Sequence, residues 1–203
     1  MSDAIAATDA PTHVIRHAGI DDFAAIRRHY ALVQDAHAAH MPDMFRPMVA
    51  KDFPIERYVG YLKDNNLLLI AELNGGVVGS LLAFSSQMPG SDGYLPVRTV
   101  CILYVVTEPA MRGRGIARSL IGAAAEWAVE KEADRIDLSV WAFNTDALEL
   151  YRKLGFAHAY TGMMIKPAEA LAQCGRGRLP LQPIQSEQAP PKSRLLAWLS
   201  RWR

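Results

Sequence analysis

The stretch TVCILYVVTEPAMRGRGIA, residues 99–117, decides how this chain folds. Residues 99–106 are almost wholly apolar and rich in β-branched side chains. Such a run suits a strand buried on both faces, where neither row of side chains meets water. A short loop, 107–114, then passes through Gly113, and from a second glycine, Gly115, the apolar residues change period. Ile116, Leu120, Ile121, Ala124, Trp127 and Ala128 recur at helical spacing through residue 131. A buried strand, a glycine turn and a helix start therefore follow one another directly.

Working toward the C-terminus, residues 135–141 alternate between apolar Ile136, Leu138 and Val140 and a second row of Asp137, Ser139 and Trp141, the pattern of a strand. Asn144 or Thr145 can cap a further helix that carries Ala147, Leu150, Tyr151 and Leu154 on one face. Gly155 stands where that helix would end in the left-handed conformation. Residues 156–165 suit a last strand or hairpin.

Working toward the N-terminus, residues 77–84 and 67–73 are apolar runs around Asn74-Gly75, a strong hairpin signal. Residues 86–97 form a turn-rich loop. A helix is expected over 54–63, with proline in its first turn, and a proline-broken loop over 39–53. Phe23, Ile26, Tyr30 and Val33 mark a helix running to about residue 38, with Asp21-Asp22 as its cap. Residues 13–17 suit a first strand, and residues 1–12 read as an unstructured leader. The order β-α-α-β-β-β-α-β-α-β implies a mixed α/β sheet with helices packed on it.

Bulk properties narrow the classes. A chain of 203 residues, half of them apolar, fits one core with room for a tail. The net charge of +1 points to neither nucleic acid nor an acidic partner. Cys101 and Cys174 lack metal-ligand spacing and read as two free thiols, so no metal is expected and a cytoplasmic setting is. No run approaches the ~18 apolar residues of a membrane span. The first ten residues lack the basic start and apolar stretch of a secretory signal.

The hexapeptide Arg112-Gly113-Arg114-Gly115-Ile116-Ala117 carries the chemistry. A helix start exposes unpaired N–H groups and a partial positive charge. Glycines let the backbone approach an anion, so a phosphate placed there gains several hydrogen bonds at once. Arg112 and Arg114 add charge, and Ala117 keeps the first turn open. The spacing excludes a P-loop, which needs G-x-x-x-x-G-K-[ST]. It also excludes the dinucleotide fingerprint, because Arg118 stands where that motif continues.

These residues resemble the GCN5-related N-acetyltransferase superfamily. Arg112, Gly115 and Ala117 fill its Gln/Arg-x-x-Gly-x-Gly/Ala pattern. Asn144, Ala147, Tyr151, Gly155 and Phe156 resemble its closing block. The resemblance implies an acyl-CoA N-acyltransferase fold over 13–167, a mostly antiparallel twisted sheet whose central strands splay apart, with a linker from 168. It implies that acetyl-CoA is the co-substrate. The pantetheine arm would bond the backbone at Val105, Val106 and Thr107. The pyrophosphate would rest on the amides of Arg112, Gly113, Arg114, Gly115, Ile116 and Ala117. Asn144 would touch the cofactor, and Tyr151 would protonate the departing thiolate. A phenol of pKa about 10 is a weak acid, yet when positioned it can donate a proton to a thiolate whose conjugate acid has a pKa of about 8.5.

An acceptor amine must lose its proton before attack, and residues 99–106 contain no carboxylate to take it. Asp35, His37, His40 and Asp43 cluster in sequence where the first helix meets its loop, and the resemblance puts the acceptor there. His37 or Asp43 is the preferred acceptor-side residue, with Glu72 a remoter candidate and Glu108 expected to face the loop. The acceptor itself, a small-molecule or protein amine, is not legible. A non-catalytic acyl-CoA-binding module on the same fold is the alternative. Residues 173–193 read as a linker, and 193–203 could form a short amphipathic helix. At about ten residues that helix is too short for stable membrane binding alone. Monomer and homodimer both suit such folds.

Overall fold

Leu73 and Gly76 pair across a two-residue turn in which Asn74 and Gly75 have φ of 52° and 77°. Both values are left-handed, as a turn matching the twist of its strands requires. This hairpin lies within a five-stranded sheet of order β1-β2-β3-β4-β5. The strands are β1 (Val14–His17), β2 (Asn66–Leu73), β3 (Gly76–Met88), β4 (Val97–Thr107) and β5 (Arg135–Leu138). The first four are antiparallel, and β4 and β5 run parallel. The helices are α1 (Phe23–His40), α2 (Ile55–Tyr61), α3 (Ile116–Glu130), α4 (Thr145–Lys153) and α5 (Pro167–Cys174). This computed structural model describes residues 13–174. One compact unit ends at Phe156 and a second begins at Ala157.

Two cores lie on opposite faces of the sheet. Leu67, Leu69 and Leu81 meet Ile116, Leu120 and Ala124 of α3 on one face. Leu68, Ile70 and Leu82 meet Ile26 of α1 and Tyr58 of α2 on the other. The central strands are buried on both sides, which explains their unbroken apolar runs. Each large aliphatic side chain so buried contributes about 1.5–3 kcal/mol.

Gly79 brings α3 close to the sheet. A Cβ there would lie 2.8 Å from Ile116 Cγ2 and 3.0 Å from the Val106 carbonyl oxygen. Gly79→Val should therefore cost about 1–3 kcal/mol by overpacking. A urea unfolding midpoint equal to that of the parent would show that α3 is free to move outward.

A bulge in β4 shapes the opening of the sheet. Leu82 pairs with Tyr104 and Ala83 with Ile102, so Leu103 has no partner on β3. The extra residue reverses the pleat. Ile102 consequently belongs to the α3-side core and Tyr104 to the α1-side core, while Leu103 is 55% exposed. On its other edge β4 pairs with β5 only from Thr99↔Arg135 to Ile102↔Leu138. Beyond that point β4 continues to Thr107 against β3 alone, and the two parallel strands separate.

Several expectations are corrected. Residues 156–165 form no strand; they and residue 166 carry no regular secondary structure. An apolar run becomes a strand only when a neighbour accepts its hydrogen bonds, and no described strand pairs with this one. The strand expected over 135–141 stops at Leu138, where its ladder to β4 ends, and Trp141 turns into an aromatic cluster. Asp22 does not cap α1 through its side chain. Its carboxylate accepts from Gly19 N at 2.7 Å and from both terminal nitrogens of Arg16, which holds it below the ordinary carboxylate range. Pro167–Cys174 is helical where a linker was expected. The readings of residues 1–12, of 193–203 and of most of the linker lie outside the described residues.

Candidate functional site

The separated end of β4 leads directly into the glycine turn. Glu108 N still donates to Val78 O at 2.9 Å, a turn of 3-10 helix follows at Pro109–Met111, and the chain then reaches Arg112. Gly113 and Gly115 both have φ of 77°, and among the described residues an added Cβ would meet no atom beyond the adjoining chain within 4 Å at either position. The two glycines are thus demanded by backbone conformation rather than by crowding. Gly115 caps α3, and its carbonyl accepts from Ser119 N at 3.0 Å. Helix geometry leaves the N–H groups that precede Ser119 without intrahelical acceptors. Arg112, Arg114 and both glycines are exposed, whereas Ile116 anchors the helix start in the core. The turn is an open, positively charged cradle able to hold an anion.

Val105, Val106 and Thr107 occupy the part of β4 that, among the described residues, faces no partner on the β5 side. Val106 is buried and packs toward α1, whereas Val105 packs toward α3. The Thr107 hydroxyl is buried without a hydrogen-bond partner among the described residues.

Asn144 opens α4, and its side-chain oxygen accepts from Ala147 N at 3.3 Å. At the far end Gly155 has φ of 92°. Gly155 N donates to Arg152 O at 3.1 Å and Phe156 N to Tyr151 O at 3.0 Å. These two bonds make a Schellman ending, with its apolar contact between Tyr151 and Phe156, whose rings lie 5.7 Å apart. Tyr151 also packs at the edge of the α3-side core, and burial raises its phenol above the ordinary value of 10.

The acceptor-side candidates part company. His37 contacts Phe45, Trp141 and Phe143, with ring centroids 5.1, 6.3 and 6.0 Å away, and burial lowers its pKa. The His40 ring stacks on Phe143 at 4.4 Å. Asp43 is exposed on the loop after α1. Asp35 accepts from Met48 N at 3.1 Å, and Glu72 is bound to Arg16 at 2.8 Å across β1 and β2.

The aromatic cluster was not foreseen. His37 and His40 share a helix face by their spacing, but nothing in the sequence announces that Trp141 and Phe143 come to meet them. A second unforeseen group lies behind β4. His29 is fully buried, with Nδ1 2.9 Å from Ser80 Oγ and Nε2 3.5 Å from Glu108 Oε1. Burial lowers the His29 pKa and keeps the ring neutral. Glu108 faces α1 rather than the loop. Partial burial alone would raise it, but the Arg28 guanidinium, at 2.7 Å, outweighs that and holds it ionised.

Residues 30–156, more than half of the chain, match the family model described as the acetyltransferase (GNAT) family. The fold is also similar to solved structures. A tetramutant of the BH1408 protein from Bacillus halodurans has a TM-score of 0.72 at 22% identity, covering 75% of this chain and 99% of that one. A transcriptional regulator from Bacillus halodurans C-125 has a TM-score of 0.60 at 26% identity, covering 76% and 99%. The aminoglycoside N-acetyltransferase AAC(6')-Iy in complex with CoA has a TM-score of 0.61 at 18% identity, covering 78% and 97%.

Proposed function

Because the chain belongs to the GNAT acetyltransferase family, we propose that it moves an acetyl group from acetyl-CoA to a primary amine by direct attack. The observation that carries this reading is the end of β4, open on its β5 side, running into the left-handed turn at Gly113 and Gly115. An extended edge offers backbone groups to a pantetheine arm, and the turn offers amides to a pyrophosphate. The similar aminoglycoside acetyltransferase contains CoA, which agrees with that assignment.

Acetyl-CoA brings an activated acyl carbonyl and a thiolate leaving group. The chain's residues do the rest. Val105, Val106 and Thr107 align the arm along β4. The amides of Arg112, Gly113, Arg114, Gly115, Ile116 and Ala117 hold the diphosphate, with Arg112 and Arg114 screening its charge. Asn144 contacts the cofactor from the start of α4. The Tyr151 hydroxyl keeps its proton at neutral pH, since burial raises its pKa, and donates it to the leaving sulfur. Holding both reactants in line supplies much of the acceleration. His37 and Asp43 are assigned to the acceptor side.

An acetyl-CoA-dependent screen of amines, read by product mass and thiol release, tests this. Acetylated product with stoichiometric thiol is expected. Tight acetyl-CoA binding with no turnover on any amine would instead make the chain a non-catalytic acyl-CoA-binding module.

Asn144→Ala should remove about 1 kcal/mol of stability as a lost cap. It should also weaken acetyl-CoA binding severalfold, measured by calorimetry. A lowered melting temperature with unchanged affinity would leave Asn144 as a cap alone.

A further inference from the structure

A cavity of about 410 Å³ opens between α1, the loop after it and α2. Two of its wall residues reach toward the ends of β4 and β5. Its wall residue Tyr30 lies edge-on to Tyr104, just past the β4 bulge, at 6.5 Å between centroids. Its wall residue Phe45 lies 5.5 Å from Trp141, just past the end of β5. The cavity is therefore walled by one side chain that packs on Tyr104 of β4 and by another that packs on Trp141, three residues beyond β5.

Its charge is lopsided. Arg46, Lys51 and Arg57 line it against one carboxylate, Asp52. That carboxylate is already committed. Both of its oxygens accept from Arg46 at 2.8 Å, and Oδ2 also accepts from Val49 N at 2.9 Å. These bonds pull the Asp52 pKa down to about 2, so it stays ionised and paired with Arg46. Arg57 donates to the Asp52 backbone carbonyl at 2.6 Å, which orients its guanidinium without neutralising it. Among the described residues no carboxylate lies within ion-pair distance of Lys51 or Arg57. Arg57 therefore keeps its charge without an ion pair, and Lys51, which only helps from a distance to hold Asp52 ionised, makes none either, in a cavity that also offers Gln34, Tyr30 and Phe45.

We propose that this cavity is the acceptor chamber and that its substrate is an amine which also bears an anionic group, a carboxylate or a phosphate, held by Lys51 and Arg57. This rests on the acetyltransferase reading and deepens it. A guanidinium fork suits either anion, and a lysine supplies a point charge. The same two cations disfavour an ammonium nearby. They therefore work against polycations such as aminoglycosides, which bring no anion to pair with them.

The test uses the full chain and matched amines: glucosamine phosphate against glucosamine, a dipeptide against its C-terminal amide, and an aminoglycoside. Acceptor kcat/KM and calorimetric binding to the CoA-loaded protein are both measured. The phosphate pair and the carboxylate pair show which anion is preferred. At least one anionic member should exceed its neutral partner by about tenfold, the scale of a hydrogen bond to a charged group. Lys51→Gln and Arg57→Gln should each raise KM for that amine and shrink the advantage, with acetyl-CoA affinity unchanged. Equal use of anionic and neutral amines, or preference for the aminoglycoside, overturns the proposal and leaves the acetyltransferase reading standing. No turnover on any amine, with anion-dependent binding that both variants weaken, sinks the enzyme reading and sustains the chamber. Anion-independent binding without turnover overturns both.

Discussion

Replacing Tyr151 with phenylalanine is expected to lower kcat by about a hundredfold or more, the usual scale of general acid catalysis, with less than about a twofold change in acetyl-CoA affinity. The substitution removes only the hydroxyl. The ring contact to Phe156 and the packing of α4 on the core remain, so folding should be preserved. Pre-steady-state thiol release with a saturating amine reports the step directly. Because burial lifts the Tyr151 phenol above 10, the group stays protonated through the neutral range. Any alkaline loss of rate from this residue in the parent chain should accordingly come at higher pH than an ordinary phenol would give. An unchanged kcat in Tyr151→Phe would leave Tyr151 as a core residue of α4 and return the leaving-group proton to solvent.

Gly115→Val should abolish acetyl-CoA binding within the measurable range. Two effects combine. A β-branched residue at φ of 77° is strained, by about 1–3 kcal/mol. Its side chain would also stand in the open space beside the loop amides, where, among the described residues, no atom beyond the adjoining chain lies within 4 Å. If two charge-assisted bonds to the diphosphate are lost, at about 1.5–3 kcal/mol each, affinity falls at least about a hundredfold. Gly115→Ala separates the causes, since it carries left-handed strain with little bulk. Loss of binding in the valine variant but only a modest change in the alanine variant supports blocked amides. Retained affinity in the valine variant, with a folded protein by circular dichroism, would sink the phosphate-loop assignment.

Much of the candidate site was legible because its signals are local. Gly113, Gly115 and Gly155 stand where the backbone must be left-handed, and all three are. Asn144 was read as a cap and is one. The Asn74-Gly75 turn closes its hairpin as its two residues demand. Each of these depends on a few neighbouring residues and on steric rules that act within one turn. Glu108 was misplaced because its partners, Arg28 and His29, come from a helix some 80 residues earlier in the chain. Residues 156–165 were read as a strand because an apolar pattern reports that a segment can pair, not that a partner exists.

The sequence by itself determined the element order from β1 to α4, the two-sided burial of the central strands, the left-handed glycine turn before α3 and the family resemblance. Hydrophobic period and glycine placement are properties of contiguous residues, and they survive without knowledge of the fold. Only the tertiary structure decided the bulge at Leu103, the end of the β4–β5 ladder at Ile102↔Leu138, the meeting of His37 with Phe45, Trp141 and Phe143, and the cationic cavity at Lys51 and Arg57. Each of these is a match between surfaces distant in sequence. Such a match depends on register and packing, which no local preference specifies.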